Sequence, residues 1–535
     1  MPRSTEIKYF KESFNLPNPS LRSYFGRVVK GNSDIYDTPF ARGESTQELL
    51  ERWDAILVSI KDKWPTLYDF ENDLRSKVGP LSYMKPLKDR MEDIDHYYDD
   101  ILLSSTPIDK RAIAAVVKEW GPARGLNLRS EANTWAAMKK STNSGSPYFT
   151  KRRDAAKKTF PIKDVDHWDD VVSQTLQNQS NIWNACAVLG WRGQEGGPSP
   201  SDVKQRVVWM FPMAVNVQEL RVYQPLIEAA QKFNIVPAWV SMEQVDKRIT
   251  DLFDTKSDDD LIVCTDFTKF DQHFNHSLQV AAKTLLGAIF TNSVEFNKWL
   301  VDVFGIKYMI PLAYDYGKVR FGQHGMGSGS GGTNADETLV HRALQYEAAM
   351  RVGARLNPNS QCLGDDGILS YPGITVEDVV RSYTEHGLEM NDSKQYASTQ
   401  DCTYLRRWHH KDYRINGVCV GVYSTFRALG RLRYLERFYD PKIWGPKMVA
   451  LRQLSIIENV KYHPLREEFA EFCMKRDKYR LGIDIPGFLD NLEAEAQKAT
   501  EYMPDFLGYT KTLQSTGQKL GIQSWWIVNY LKSKA

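Results

Sequence analysis

Long apolar runs are scarce in this chain, and that scarcity removes whole classes of function. The longest, such as VVWMFPMAV from Val207, fall far short of the roughly 20 residues that span a bilayer. The opening MPRSTEIKYF lacks the apolar core of a signal peptide, so a soluble protein outside the secretory route, with no membrane partner, is expected. Cysteine is sparse as well. Cys186, Cys264, Cys362, Cys402, Cys419 and Cys473 are scattered without a CxxC pair, which indicates neither a zinc site nor a disulfide framework and leaves a reducing compartment as the default. Net charge is small: 69 basic against 67 acidic residues give +2, so composition alone does not point to nucleic acid. No GxxxxGKS or GxxxxGKT segment occurs, which disfavours a P-loop enzyme. Solenoid-type repeats and low-complexity stretches are absent too.

What is present is an ordinary globular composition, 42% hydrophobic and 25% charged, spread over 535 residues. That length exceeds what one hydrophobic core supports, so two or three subdomains or one large composite enzyme are expected. Helical periodicity runs through Glu44 to Trp64 and Arg111 to Trp120. The centre alternates: LIVCTD (Leu261 to Asp266) reads as a short buried strand, Asn275 to Phe290 and Ala335 to Val352 as helices, and QCLGDDGILSY as strand, turn and strand. After about Thr425 the pattern is mainly helical, ending in the basic NYLKSKA. Basic residues cluster at Lys139-Lys140, Lys151-Arg152-Arg153, Lys157-Lys158, Arg406-Arg407 and along Arg427, Arg431, Arg433 and Arg437; each reads either as a solvated face or as part of a binding stripe.

The chemistry gathers around carboxylates. Asp365 and Asp366 are adjacent like charges between two apolar runs, where a bare hairpin turn would more usually carry Asn-Gly or Asp-Gly. LIVCTDFTKFD sets Asp266 at the end of a β-branched run and Asp271 five residues on. Alone, these are as readily turn or capping carboxylates. Beside a hairpin tipped by Asp-Asp, they predict carboxylates from separate stretches within a few ångströms of one another. Such a cluster needs compensating cations, and oxygen-only ligands select hard ions such as Mg²⁺ or Mn²⁺. Two of them can activate an attacking hydroxyl and stabilise a leaving pyrophosphate. Between the carboxylates lies GMGSGSGGTNADE, Gly325 to Glu337. Its literal GxGxxG is a poor dinucleotide fingerprint, because the window about 20 residues on is the helical QYEAAMRV rather than a strand closed by an acid. A flexible glycine- and hydroxyl-rich loop entering a helix, able to approach a nucleotide or phosphodiester backbone, fits better.

The order DFTKFD, SGSGGTNADE, LGDDG resembles motifs A, B and C in the palm of viral RNA-dependent RNA polymerases. STNSGSPY (Ser141 to Tyr148) resembles motif G, KQRVVWMFPMAVNVQELR (Lys204 to Arg221) resembles motif F, and the stretch from EMNDSKQY to TYLRRWH resembles motifs D and E. Size and motif wording are most similar to the picobirnavirus and partitivirus-like polymerases of double-stranded RNA viruses. The resemblance implies an α+β right-hand fold with an antiparallel palm sheet and a mainly helical thumb. It divides the chain into 1–255, an N-terminal region with fingers; 256–423, the palm with an interleaved fingers segment; and 424–535, the thumb and C-terminal tail.

The resemblance also implies roles. Asp266, Asp365 and the adjacent Asp366 are the expected ligands of two Mg²⁺ or Mn²⁺ ions. Gly364 lets the hairpin approach its neighbours and Gly367 relieves the turn. Lys204, Arg206 and Arg221 neutralise the triphosphate, and Lys394 is a general acid for pyrophosphate or a surface lysine. Ser328, Gly329, Thr333 and Asn334 hold the template and the incoming sugar; Ser144, Gly145 and Pro147 shape the template channel. Asp271 reads the ribose 2′-hydroxyl. Its partner in picornavirus-like palms is an Asn four residues after the motif B threonine, but that position is Glu337 here, while Asn334 follows Thr333 directly. The implied partners are RNA template and product, nucleoside triphosphates and a viral capsid protein, in the virion interior and the host-cell cytoplasm. A reverse transcriptase shares the palm, but LGDD replaces that family's aromatic-x-Asp-Asp, and Asp271 stands where a bulky steric gate belongs. An RNA-binding capsid protein with a dead palm is the other alternative, opposed by the intact aspartates.

Overall fold

The computed structural model describes residues 5–7, 20–99, 105–162, 186–503 and 521–535. They form two compact units that interleave along the chain: Met1–Gly31, Pro86–Trp191 and Val207–Tyr404 make the first, and Asn32–Lys85, Arg192–Arg206 and Leu405–Ala535 the second.

The first unit carries a four-stranded antiparallel sheet in the order Tyr396–Ser398, Ile262–Thr265, Asp366–Leu369, Gln361–Leu363. Every residue of Ile262–Thr265 is buried, as its β-branched run predicts. Gln361–Leu363 and Asp366–Leu369 form a hairpin closed by Gly364 and Asp365 alone. Gly364 has φ +58°, the left-handed conformation that a type II′ turn requires at its first central residue. The helix Thr333–Arg351 lies against this sheet and against the helices Lys110–Glu119, His276–Ile289 and Val376–Thr384. Asn275 caps His276–Ile289, its side chain accepting from the Leu278 N–H. A second sheet pairs Thr5–Ile7 antiparallel with Lys318–Phe321, that strand antiparallel with Leu312–Asp315, and the latter parallel with the start of Ala187–Gln194.

The second unit is built around one apolar core that includes Trp53, Leu67, Phe426, Leu451, Phe469 and Ile527. The helical pattern of 44–64 resolves into the helix Thr46–Leu57, a 3₁₀ turn Val58–Ile60, and a new helix opened by Pro65 at its first position. Ser45 and Glu48 close a capping box at the first of these. C-terminal residues complete the core through Thr425–Arg433, Pro446–Glu458, Arg466–Met474, Leu492–Tyr502 and Trp526–Lys534. The Trp53 indole N–H donates to the Thr425 hydroxyl at 2.7 Å, so an N-terminal segment and the C-terminal helices share one interior.

Candidate active site

Antiparallel register assembles the site. Cys264 faces Ile368 and Thr265 faces Gly367, so the next step along both strands sets Asp266 opposite Asp366 at the hairpin turn. Asp266 and Asp365 are exposed and Asp366 is half-buried. The main chain of Asp266 is held on both sides by one side chain: its N–H donates to Gln395 Oε1 at 2.7 Å, and its carbonyl accepts from Gln395 Nε2 at 2.9 Å. Among the described residues the Asp266 carboxylate itself takes no hydrogen bond or ion pair. The register brings the three aspartates to one end of the sheet. Oxygen is the only donor they offer, which fits hard divalent ions.

The helix Thr333–Arg351 supports the hairpin through a polar face with helical spacing. Thr338 Oγ1 accepts from the Gly364 N–H at 2.9 Å, His341 Nδ1 donates to the Gly364 carbonyl at 2.8 Å, and Gln345 Nε2 donates to the Gln361 carbonyl at 2.9 Å. Because a carbonyl only accepts, the His341 proton sits on Nδ1; Nε2 is buried without a partner. Burial pushes the His341 pKa down to about 4. This face corrects the expected roles of two glycines. Gly364 relieves the turn, with nothing nearer to its Cβ position than Asn334 Nδ2 at 3.7 Å. Gly367 permits the close approach, since a Cβ there would meet the His341 ring at 2.7 Å.

The glycine-rich stretch is pinned, not flexible. Gly329 packs so tightly that a Cβ would stand 1.6 Å from the Trp209 carbonyl oxygen. Ser328 Oγ donates to the Val207 carbonyl and accepts from the Trp209 N–H, each at 3.3 Å, so its hydroxyl serves the neighbouring strand. Thr333 Oγ1 reaches the Gly327 carbonyl at 3.2 Å. The fully buried Glu219 receives the Ser330 hydroxyl, and the Gly331 N–H at 3.1 Å; burial raises its pKa. Behind the loop, Asp336 accepts from Tyr223 and Tyr308 hydroxyls at 2.8 and 2.7 Å and pairs with Lys307 at 3.0 Å, acid and base both fully buried.

The sugar-reading candidates separate. Asn334 turns its carbonyl to the Trp239 indole N–H at 2.8 Å, which leaves its amide nitrogen beside the hairpin turn. Glu337 is 3% exposed, inside the helix packing. Asp271 is half-buried, and its carbonyl accepts from the Met326 N–H at 2.8 Å.

The remaining candidates lie further out. Lys394 is exposed and ends the 3₁₀ turn that immediately precedes Gln395. Arg221 donates to the Arg129 carbonyl at 2.9 Å and to Gln218 at 3.2 Å. Ser144 and Gly145 are buried, Ser144 accepting from the Thr150 N–H at 3.2 Å, while Pro147 is half-buried. Lys204 and Arg206 are exposed at the start of the strand Lys204–Met210, in the second unit. In that unit several of the clustered arginines are paired: the exposed Arg406 and the partly buried Arg427 and Arg431 converge on Glu195, and Arg433 donates to the Phe40 and Ala41 carbonyls. Gln395, His341, Glu219 and the Lys307–Asp336 pair were not singled out by sequence. Only the 4-3-4 spacing of Asn334, Thr338, His341 and Gln345 signalled a polar helix face.

Comparison with known proteins adds a family. The profile described as viral RNA-dependent RNA polymerase matches residues 126–468. A potential RNA-dependent RNA polymerase of human picobirnavirus (strain Human/Thailand/Hy005102) is 61% identical over 526 residues, 97% of this chain and 98% of that one. The crystal structure of the RNA-dependent RNA polymerase of a human picobirnavirus is similar with a TM-score of 0.90 at 58% identity, covering 98% of both chains. An insertion-loop deletion mutant of such a polymerase is similar with a TM-score of 0.88 at 57% identity, again over 98% of each.

Proposed function

This chain belongs to the viral RNA-dependent RNA polymerase family, and from that premise we propose that it copies RNA by a two-metal nucleotidyl transfer centred on Asp266, Asp365 and Asp366. Membership carries the right-hand polymerase fold, an RNA template and nucleoside triphosphate substrates, and a family-wide use of divalent metal. The observation that supports this site best is the register that sets Asp266 against the Asp365–Asp366 turn, with Gln395 fixing the main chain of Asp266. An all-oxygen donor set with an unpartnered carboxylate at Asp266 fits Mg²⁺ or Mn²⁺. Such ions, when bound, lower the barrier by activating the 3′-hydroxyl and stabilising pyrophosphate.

The chain's own residues do the rest. Gln395 and the His341–Thr338 face keep the carboxylates where two separate strands meet, so little reorganisation is required during transfer. Asp271 accepts the hydrogen of the ribose 2′-hydroxyl while the Asn334 amide donates to its oxygen. Lys204, Arg206 and Arg221 meet the triphosphate, and Lys394 protonates the departing pyrophosphate. Ser328, Gly329 and Thr333 keep the backbone of their loop close to template and nucleotide; Ser144, Gly145 and Pro147 contour the channel. In this reading residues 1–255 hold the fingers, 256–423 the palm and 424–535 the thumb. Its product is both genome senses of a double-stranded RNA virus, made in association with capsid protein in the virion and the host cytoplasm. Among the described residues no helix is long and apolar enough to cross a membrane.

The test supplies purified protein with an RNA template, Mg²⁺ and either NTPs or dNTPs. RNA product from NTPs is expected, and Asp365→Asn should reduce it by about a thousandfold with RNA binding nearly unchanged. Near-normal turnover by that variant would remove Asp365 from the site.

A further inference from the structure

Three side chains outside the carboxylate site converge within the first unit. His96 follows the helix Met91–Asp95, Asp99 comes three residues later, and His273 stands two residues beyond Asp271. His96 Nδ1 lies 2.9 Å from Asp99 Oδ2, and His273 Nε2 lies 2.8 Å from the same oxygen. One ligand atom from each residue lies within 4.8 Å of the other two, a combination found nowhere else among the described residues. The imidazole planes cross at 84°, so the rings approach the carboxylate from different directions rather than stacking.

Two further observations point to a cation. Glu92 Oε1, on an exposed side chain, lies 3.6 Å from the other nitrogen of His96, an ion-pair rather than a hydrogen-bond distance, on the side from which an outer carboxylate can approach a metal-bound imidazole. His273 is 8% exposed, and its Nδ1 is buried without a hydrogen-bond partner. The Asp99 carboxylate only accepts, so without a cation the His273 proton sits on Nε2; a cation takes that position by displacing the proton, and Nδ1 has no partner that would hold the ring against it.

We infer that His96, Asp99 and His273 form a second metal site, selective for a divalent ion of borderline softness, best represented by Zn²⁺. Two imidazoles and a carboxylate are a donor set that Zn²⁺ accepts, with water completing four-coordination. Mg²⁺ prefers oxygen alone, so the two proposed sites select different ions. The lack of paired cysteines speaks only against thiolate sites. The cluster sits where three segments are already laced by backbone: the Gly325 N–H donates to the Tyr97 carbonyl at 3.0 Å, and the Met326 N–H to the Asp271 carbonyl at 2.8 Å. A cation here joins residues 96–99 to the segment trailing Asp271. It acts as a brace, and none of its ligands touches substrate.

The full-length chain, stripped with a chelator and returned to excess Mg²⁺, is titrated with Zn²⁺ by calorimetry and with Co²⁺ by visible absorption. One Zn²⁺ per chain is expected, with Co²⁺ giving the intense d–d bands of low coordination. Zn²⁺ affinity should fall at least about tenfold in His96→Ala and in Asp99→Asn and stay unchanged in Asp365→Asn. His96 and Asp99 are partly exposed, so both variants should fold, which circular dichroism checks. The inference is overturned if wild type binds no Zn²⁺ in Mg²⁺, if folded His96→Ala retains it, or if Asp365→Asn abolishes it. In the first case Asp99 is only a shared hydrogen-bond acceptor. None of these readings requires polymerase activity, so this test and that of the carboxylate site fail independently.

Discussion

Gln395 shows what a single residue contributes when it touches only backbone. It both accepts from and donates to the main chain of Asp266, and a third hydrogen bond, to the Asn391 carbonyl at 3.0 Å, fixes its own amide. Gln395→Ala should therefore lower kcat by roughly 10–100-fold while nucleotide KM moves by less than about threefold, because positioning is lost and binding is not. Gln395→Glu keeps the acceptor but loses the donor and adds a negative charge beside Asp266, so it should be no better; steady-state incorporation by both variants checks this. A second residue-scale test concerns the sugar. Losing one buried hydrogen-bond partner costs about 1–3 kcal/mol, so Asp271→Ala and Asn334→Ala should each narrow the NTP-to-dNTP preference about tenfold. Glu337→Gln, buried in the helix packing, should lower stability and leave that preference in place. Paired incorporation assays with NTPs and dNTPs decide between Asn334 and Glu337.

The helix Thr333–Arg351 is the element on which the hairpin depends, and its histidine makes that dependence sensitive to acid. His341 has a folded pKa of about 4 against an ordinary 6.5, so between those values the unfolded chain binds the extra proton. Its stabilising share is complete above 6.5 and is lost as pH falls toward 4, about 2 kcal/mol of it by pH 5. His324 in the same unit is also pushed down to about 4 by burial and adds a similar slope. Denaturant unfolding at pH 7 and pH 5 should show wild type losing stability with acid, and His341→Gln losing about half as much; an unchanged slope would place the buried charge elsewhere. The strands, this helix and the turn were legible because period 2, period 3.6 and a glycine-initiated hairpin are local signals. Glycine identity was legible, but its use was not. Sequence does not distinguish a glycine needed for positive φ, as at Gly364, from one needed for clearance, as at Gly367 against His341. Gln395, Glu219 and the Lys307–Asp336 pair escaped because each finds its partner in a distant stretch of chain, where spacing carries no information.

At the scale of the whole molecule, a near-neutral chain arranges charge by internal pairing. Glu195, 11% exposed in its side chain, has its pKa lowered to about 2: burial raises it, but Arg431 and Arg427 together more than offset that. Its share of stability is present above the ordinary carboxylate value of 4.5 and is lost as pH falls through about 2. Glu195→Gln strands partly buried guanidinium groups and should destabilise the second unit by about 3 kcal/mol at pH 7, read by denaturant unfolding. The sequence left these clusters open between a solvated face and a binding stripe, because it shows where arginines are and not that Glu195 faces three of them. Residues of Asn32–Lys85 share a core with the C-terminal helices, a pairing that chain order does not display. Such long-range closure has a consequence in the time of synthesis. The bond between Asp266 and Gln395 bridges 129 residues of chain. At about 5–20 residues per second, translation takes roughly 6–26 s to cross that interval. A nascent chain thus exposes Asp266 long before the residue that fixes it has been made. A ribosome halted just after Asp366 has made Asp266, Asp365 and Asp366 but not yet the Gln395 that fixes the main chain of the first.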